Sequence, residues 1–227
     1  MTEQELIASL RGKLVVSCQA YPGEPLRTPQ AMLGMALATE RGGAAGIRAQ
    51  GLDDIRLIKD NVPLPMIGLL KVSGDDVFIT PTLQDALDVA RAGSDVVALD
   101  GTRRPRPDGR TLAETIRAVH EAAGVLVMAD CGSLDDALAA QDAGADVVGT
   151  TLAGYTGERS KTDGPDLELI EQIAAAVTVP LFAEGRIHTP AQARAALDAG
   201  ADTVVVGTAI THPTTITTWF AEAVAGK

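Results

Sequence analysis

Residues 134–151 read LDDALAAQDAGADVVGTT, and this stretch carries the fold in miniature. Leu134–Ala143 spaces its apolar residues as a helix does, with Ser133 placed to cap its start. Gly144 closes the helix, as glycine does where the chain must turn left-handed. Asp146–Gly149 is then a short aliphatic run of the kind buried in parallel sheets, and it ends on Thr150 and Thr151. The same corner recurs, as AGSDVV from Ala92, AGADVV from Ala143 and AGADTV from Ala199. A repeated helix-to-strand corner is what βα units require, in an open sheet and in a closed barrel alike.

Outward from this stretch the plan repeats. Further aliphatic runs lie at Leu14–Cys18, Ala44–Ile47, Met66–Leu70, Asp95–Leu99, Val125–Ala129, Leu181–Ala183 and Thr203–Val206. Helical spacing is read over Pro29–Arg41, Leu83–Ala92, Thr111–Ala122, Leu167–Ala176 and Pro190–Ala199, and a last helix is expected near Pro213–Thr214. Thr28-Pro29 and Thr189-Pro190 each set a capping hydroxyl before a proline at the first helical position, and Thr82 is a further cap. Gly42, Gly93, Gly124 and Gly200 mark other helix ends. Eight strands and no Gly-rich dinucleotide fingerprint predict a (β/α)8 TIM barrel. With no linker or low-complexity segment, a single domain over 1–227 is expected.

Composition narrows the function. Of the 227 residues 46% are apolar but only 3% aromatic, so Val, Ile, Leu and Ala must fill the core. Scarce aromatics and a formal net charge of −11 argue against nucleic acid and against anionic membrane surfaces. A small phosphorylated ligand needs only local donors and stays open. Cys18 and Cys131 fall at the ends of strands expected to face each other across the barrel, which argues against a disulfide and fits a reducing cytoplasm. Met1 to Leu10 is polar and amphipathic without a signal-peptide core, and no apolar run reaches membrane-span length. His120, His188 and His212 have no partner at ligand spacing, so no metal is expected. No phosphate-loop or dinucleotide motif calls for a cofactor.

In this fold the active site lies at the C-terminal ends of the strands. The residues there are Gln19, Arg48, Lys71, Asp100, Asp130, Thr150 with Thr151, Glu184 with Arg186, and Gly207 with Thr208. Any one of them could be polar simply because strand ends approach solvent; together they predict a site. Lys71 follows the aliphatic run Met66–Leu70. Held at such a rim it is either a desolvated amine with a lowered pKa, able to act as a base, or a snorkelling side chain. Glu184 and Asp130 are placed to bind substrate hydroxyls or transfer protons, or to pair with Arg48 and Arg186. Phosphate is expected at the loops after strands seven and eight, where Gly185 and Gly207 let backbone N–H groups come close.

The segments VVSCQAYPGEPL (15–26), GGAAGIRAQG (42–51), PMIGLLK (65–71), ADCGS (129–133), DVVGTTLAGYT (146–156), FAEGRI (182–187) and VVGTAIT (205–211) are recognisable. In order and over nearly the whole chain, they resemble the N-acylglucosamine-6-phosphate 2-epimerases, also called N-acetylmannosamine-6-phosphate 2-epimerases. The resemblance implies a TIM barrel, a homodimer, and cofactor-free interconversion of N-acetylmannosamine 6-phosphate and N-acetylglucosamine 6-phosphate in sialic-acid and amino-sugar catabolism. It implies Lys71 and Glu184 as catalytic residues, and Gln19, Arg48 and Asp130 as substrate contacts, with Thr150 and His212 at the same rim. It also implies Gly185, Arg186, Gly207 and Thr208 as the phosphate loops. The family usually carries arginine where this chain has His212, a shorter side chain that is mostly neutral at pH 7.

The chemistry implied is proton removal at C2 of the ring-opened sugar by Lys71 and its return on the other face, assisted by Glu184. Rival readings are an epimerase for a related phosphosugar, such as ribulose phosphate, a thiamine-phosphate synthase, and a non-catalytic sugar-phosphate sensor. The first lacks its paired metal ligands when the related sugar is ribulose phosphate, the second its diphosphate and magnesium motif; the sensor rests on His212 alone.

Overall fold

The computed structural model describes residues 2–73 and 76–226. Its strands are β1 Leu14–Cys18, β2 Gly46–Gln50, β3 Met66–Leu69, β4 Val96–Asp100, β5 Leu126–Asp130, β6 Val147–Gly149, β7 Leu181–Glu184 and β8 Thr203–Val206. Its helices are α1 Glu3–Leu10, α2 Pro29–Arg41, α3 Leu52–Lys59, α4 Leu83–Arg91, α5 Leu112–Ala123, α6 Leu134–Asp142, α7 Leu167–Ala176, α8 Pro190–Asp198, α9 Thr208–Thr211 and α10 Pro213–Val224. All strand pairs are parallel and β8 returns to β1, with Val15 opposite Val205 on one side and Gly46 on the other. The predicted (β/α)8 barrel is the fold. Among the described residues no helix is long and apolar enough to cross a membrane.

Because side chains alternate along a strand, each strand feeds two cores. Val15, Leu69, Ala98, Met128, Phe182 and Val205 point into the barrel, where Leu6 and Leu10 of α1 close its floor. Val16, Ile47, Val97, Ala129, Val148 and Ala183 point outward against the helices. Every strand is buried on both faces, which is why the runs read as continuously aliphatic.

Strand ends differ from expectation in one systematic way. Asp100, Asp130 and Glu184 are the last residues of their strands, and Arg48 lies inside β2. A polar side chain does not end a ladder: the backbone goes on pairing while the side chain faces the barrel interior. Helices α1 and α3 also go beyond the predicted set. Each is only eight residues long and buries just two, so its periodic signal is short.

The repeated corner has a common job. Asp95, Asp146 and Asp202 each accept a hydrogen bond from a main-chain N–H at the start of the preceding strand: Met66 (2.8 Å), Val127 (2.7 Å) and Leu181 (2.9 Å). Each aspartate also meets a basic group, Lys59, His120 or Arg11 respectively. The corner glycines Gly93, Gly144 and Gly200 take φ of 108°, 93° and 105°, which only glycine adopts without strain. A fourth corner, Gly42–Ile47, repeats the backbone with Gly43 at φ 95°, but has Ala45 where the others have aspartate.

Candidate active site

At the C-terminal mouth of the barrel a cavity of about 460 Å³ opens between the strand ends and loops. Gln19, Arg48, Lys71, Glu184, Gly185, Gly207, Thr208 and His212 line it. Six predicted polar or charged side chains therefore converge on one space, from β1, β2, β3, β7, and the α9 and α10 starts.

Lys71 is positioned by its neighbour. Leu70 donates its N–H to the Thr80 hydroxyl (3.1 Å), and its carbonyl accepts from the Thr80 N–H (2.7 Å). The Thr80 hydroxyl in turn donates to the Ala98 carbonyl (2.7 Å), and Arg106 holds the Thr80 carbonyl (2.7 Å). Thr80 is fully buried with φ at +44°, a conformation β-branched residues rarely adopt. Such strain persists only where the surroundings fix it, and here it fixes the backbone beside the lysine. Thr80→Val is expected to cost about 1–3 kcal/mol, since Leu70 N–H loses its buried acceptor. Thermal unfolding reads this directly; an unchanged midpoint would show that the hydroxyl holds nothing.

The Lys71 stem is open to the cavity, and its amine lies 5.4 Å from the centre of the Tyr21 ring. Crowding by protein on the barrel side, with Arg48 close by, holds the amine below the usual lysine range; Glu184 and Asp130 only partly offset this. The residue is nevertheless exposed on the cavity side, so the geometry is compatible with both the base and the snorkelling reading.

At the cavity floor Arg48 is almost completely buried and grips Asp130, which lies beneath it, with both terminal nitrogens, at 3.0 and 2.6 Å. Its Nη1 also lies 2.9 Å from Glu184 Oε2. Burial opposes the guanidinium charge, but Asp130 and Glu184 more than compensate and keep it protonated. Glu184 moves the other way: burial foremost, with Asp130 adding, raises its carboxyl above the usual glutamate range despite Arg48. The Thr151 hydroxyl sits between the carboxylates, 2.6 Å from Asp130 Oδ1 and 3.2 Å from Glu184 Oε2.

Four of the predicted residues turn their side chains to partners within the protein. Thr150 points away from the barrel interior: its hydroxyl donates to the Glu184 carbonyl (2.9 Å) and accepts the Glu184 N–H (3.0 Å). The Arg186 guanidinium binds the Ala153 and Gly164 carbonyls (2.8 and 3.2 Å) and the Thr162 hydroxyl (3.0 Å), so it clips loop 150–166 in place. Asp130 is likewise below the cavity wall, and Asp100 is taken up by Thr102 and Arg104. Sequence reasoning passed over Tyr21 and Tyr155, the chain's two tyrosines, which both line the cavity. Their signal was rarity: in a chain so poor in aromatics, both fall in segments just after strand ends.

Three buried polar atoms on cavity-lining residues have no hydrogen-bond partner: Gln19 Oε1, Arg48 Nε and His212 Nε2. Gln19 is oriented by its own donation to the Ser17 hydroxyl (2.8 Å). His212 caps α10, its Nδ1 taken by Thr215, while Nε2 lies 3.5 Å from Glu24 without a hydrogen bond. Across the cavity Gly185 adopts φ 121°, and a Cβ on Gly207 would stand 3.3 Å from Ser17 Cβ, so both positions favour glycine. Among the described residues no three His, Cys, Asp or Glu side chains cluster as a metal site would require.

A sequence model of the family described as "Putative N-acetylmannosamine-6-phosphate epimerase" matches residues 32–226. A protein of Cutibacterium acnes named "Putative N-acetylmannosamine-6-phosphate 2-epimerase" is 60% identical over 220 residues, 96% of each chain. The solved N-acetylmannosamine-6-phosphate 2-epimerase of Clostridium perfringens superposes with a TM-score of 0.94 at 40% identity, covering 98% of both chains. A thiamine phosphate pyrophosphorylase of Pyrococcus furiosus superposes with a TM-score of 0.60 at 21% identity over 91% of this chain and 89% of its own, a likeness of fold alone.

Proposed function

The chain belongs to the N-acetylmannosamine-6-phosphate epimerase family, and we propose that it interconverts N-acetylmannosamine 6-phosphate and N-acetylglucosamine 6-phosphate through Lys71. The observation that carries this is the convergence of Lys71, Glu184, Gln19 and His212 on one cavity, where burial lowers the amine's pKa and raises the carboxyl's. Inversion at C2 needs an acidic proton, and only the ring-opened aldehyde has a carbonyl next to C2. Glu184 serves the ring oxygen as the sugar opens. Lys71, in its neutral form, takes the C2 proton and returns it to the opposite face. Buried donors around the C1 oxygen then stabilise the enediolate-like state, the largest source of rate in such sites.

Gln19 Oε1 and His212 Nε2 are the buried atoms that a sugar's hydroxyl or amide groups would complete. Gly185, Arg186, Gly207 and Thr208 would offer main-chain N–H groups to the phosphate, with the Arg186 guanidinium already committed to the loop. Arg48 acts from the cavity floor and Asp130 from below it, and Thr150 braces β7 behind Glu184.

The remaining assignments are of the same kind. A homodimer is supported by α10, which buries none of its residues and leaves Phe220 and Val224 exposed, and by an apolar groove of about 420 Å³ near Leu14, Leu197 and Val204. A cytoplasmic setting is supported by the free, buried Cys18 and Cys131, and amino-sugar catabolism, including that of sialic acid, by the substrate. Residues 1–227 are read as one catalytic domain without a cofactor.

Turnover in heavy water tests the reaction: deuterium is expected at C2 of product. Product formed without label would exclude proton exchange with solvent, and binding without turnover would favour a sensor.

A further inference from the structure

We infer that Thr151 is a positioning residue whose single hydroxyl proton serves two carboxylates in turn, facing Asp130 while Glu184 is protonated and Glu184 when it is ionised. The hydroxyl oxygen stands 2.6 Å from Asp130 Oδ1 and 3.2 Å from Glu184 Oε2. A threonine hydroxyl has one proton to donate. Pointed along the shorter contact, it leaves Glu184 Oε2 facing a lone pair. That second contact is favourable only when Glu184 carries a proton and donates it. When Glu184 is ionised, Oε2 keeps the Arg48 charge but meets the threonine lone pair, and rotation about the Thr151 side chain replaces that repulsion with a donor.

The groups facing Glu184 fit this arrangement. Arg48 from β2 approaches Oε2 at 2.9 Å, Asp130 faces it from β5, and Lys71 faces it from the end of β3. Asp130 keeps both Arg48 bonds whichever way the hydroxyl points, so it can release Thr151 without being stranded. Burial raises the Glu184 carboxyl against the pull of Arg48, the direction that favours its protonated form. This inference rests on the reading above, in which Glu184 exchanges a proton with the sugar. As Glu184 gives its proton to a sugar oxygen, the Thr151 O–H turns from Asp130 to Glu184. Thr151 keeps its own proton, and the return of the Glu184 proton reverses the turn.

The test is a pH titration of Glu184 in the resting enzyme by infrared spectroscopy, with the carboxyl band assigned by its loss in Glu184→Gln. Thr151→Val, Thr151→Ala and Thr151→Ser are compared with wild type, and each is also assayed for kcat against pH. Removing the hydroxyl takes a neutral hydrogen bond from protonated Glu184 but a stronger, charge-assisted one from ionised Glu184, so its midpoint is expected to rise by about one pH unit in the Val and Ala variants. Their kcat is expected to fall about tenfold, and Ser is expected to restore both readings. An unchanged or lowered midpoint in both Val and Ala, or a Ser variant that behaves like Val, overturns the proposal. The infrared reading needs no turnover. A wild type that fails to convert the sugar phosphate therefore sinks the epimerase reading while the Thr151 titration still stands or falls by itself.

Discussion

Lys71→Ala is expected to lower kcat by about 10³-fold, the middle of the range for a positioned acid–base group, while leaving the fold intact. The amine faces the cavity and is not a core contact, so its removal should leave thermal unfolding close to wild type. Affinity for the sugar phosphate should change little, because the proposed phosphate and hydroxyl contacts come from other strands. Solvent deuterium at C2 should vanish along with turnover, since the same group removes and returns the proton. A variant that turns over at nearly the wild-type rate would transfer the role of base to another residue.

Arg48→Met should act on stability as strongly as Lys71→Ala acts on rate. Arg48 pairs with two of the carboxylates that face the barrel interior, Asp130 and Glu184. Removing one partner from such a buried group costs about 3–5 kcal/mol, against a total of about 5–15 for a typical protein. For a chain of this size each kcal/mol moves the melting point by about 2–4 °C, so a fall of roughly 10 °C is expected. The sign with pH follows from Glu184, whose carboxyl already sits above its usual range and rises further without Arg48. A folded-state pKa above the unfolded value contributes stability at low pH that is lost as pH rises. The gap between variant and wild type should therefore narrow towards pH 5 and widen towards pH 8. Melting curves at both values decide it, and a gap that widens in acid would contradict the account.

Eight strands and most of the helices were legible because buried parallel strands are aliphatic on both faces and most of those helices begin at Thr or Ser caps, two of them followed by proline. The site was legible as a set of strand ends, less so residue by residue. Which of Thr150 and Thr151 faces inward depends on register, and β6 pairs with β5 so that Gly149 lies opposite Asp130. Two residues beyond Gly149, Thr151 faces in again, and Thr150 between them faces out. No local pattern reports that phase when both candidates are threonine. The role of the Arg186 guanidinium was hidden for a different reason: it answers to carbonyls of a loop far back in the chain, which spacing does not disclose. Helix α3 escaped because Ile55 and Ile58 alone anchor it.

The aspartate corners have a bearing on how freely a chain like this can diverge. The repeated corners are all four residues long, 92–95, 143–146 and 199–202, and all lie on the floor of the barrel, opposite the cavity. The mouth instead carries loops of very different length, such as 150–166 beside 185–189. Strand alignment is thus secured from the end where no chemistry occurs. Insertions, deletions and substitutions at the mouth leave that fastening untouched, so specificity can drift while closure of the ring is inherited unchanged.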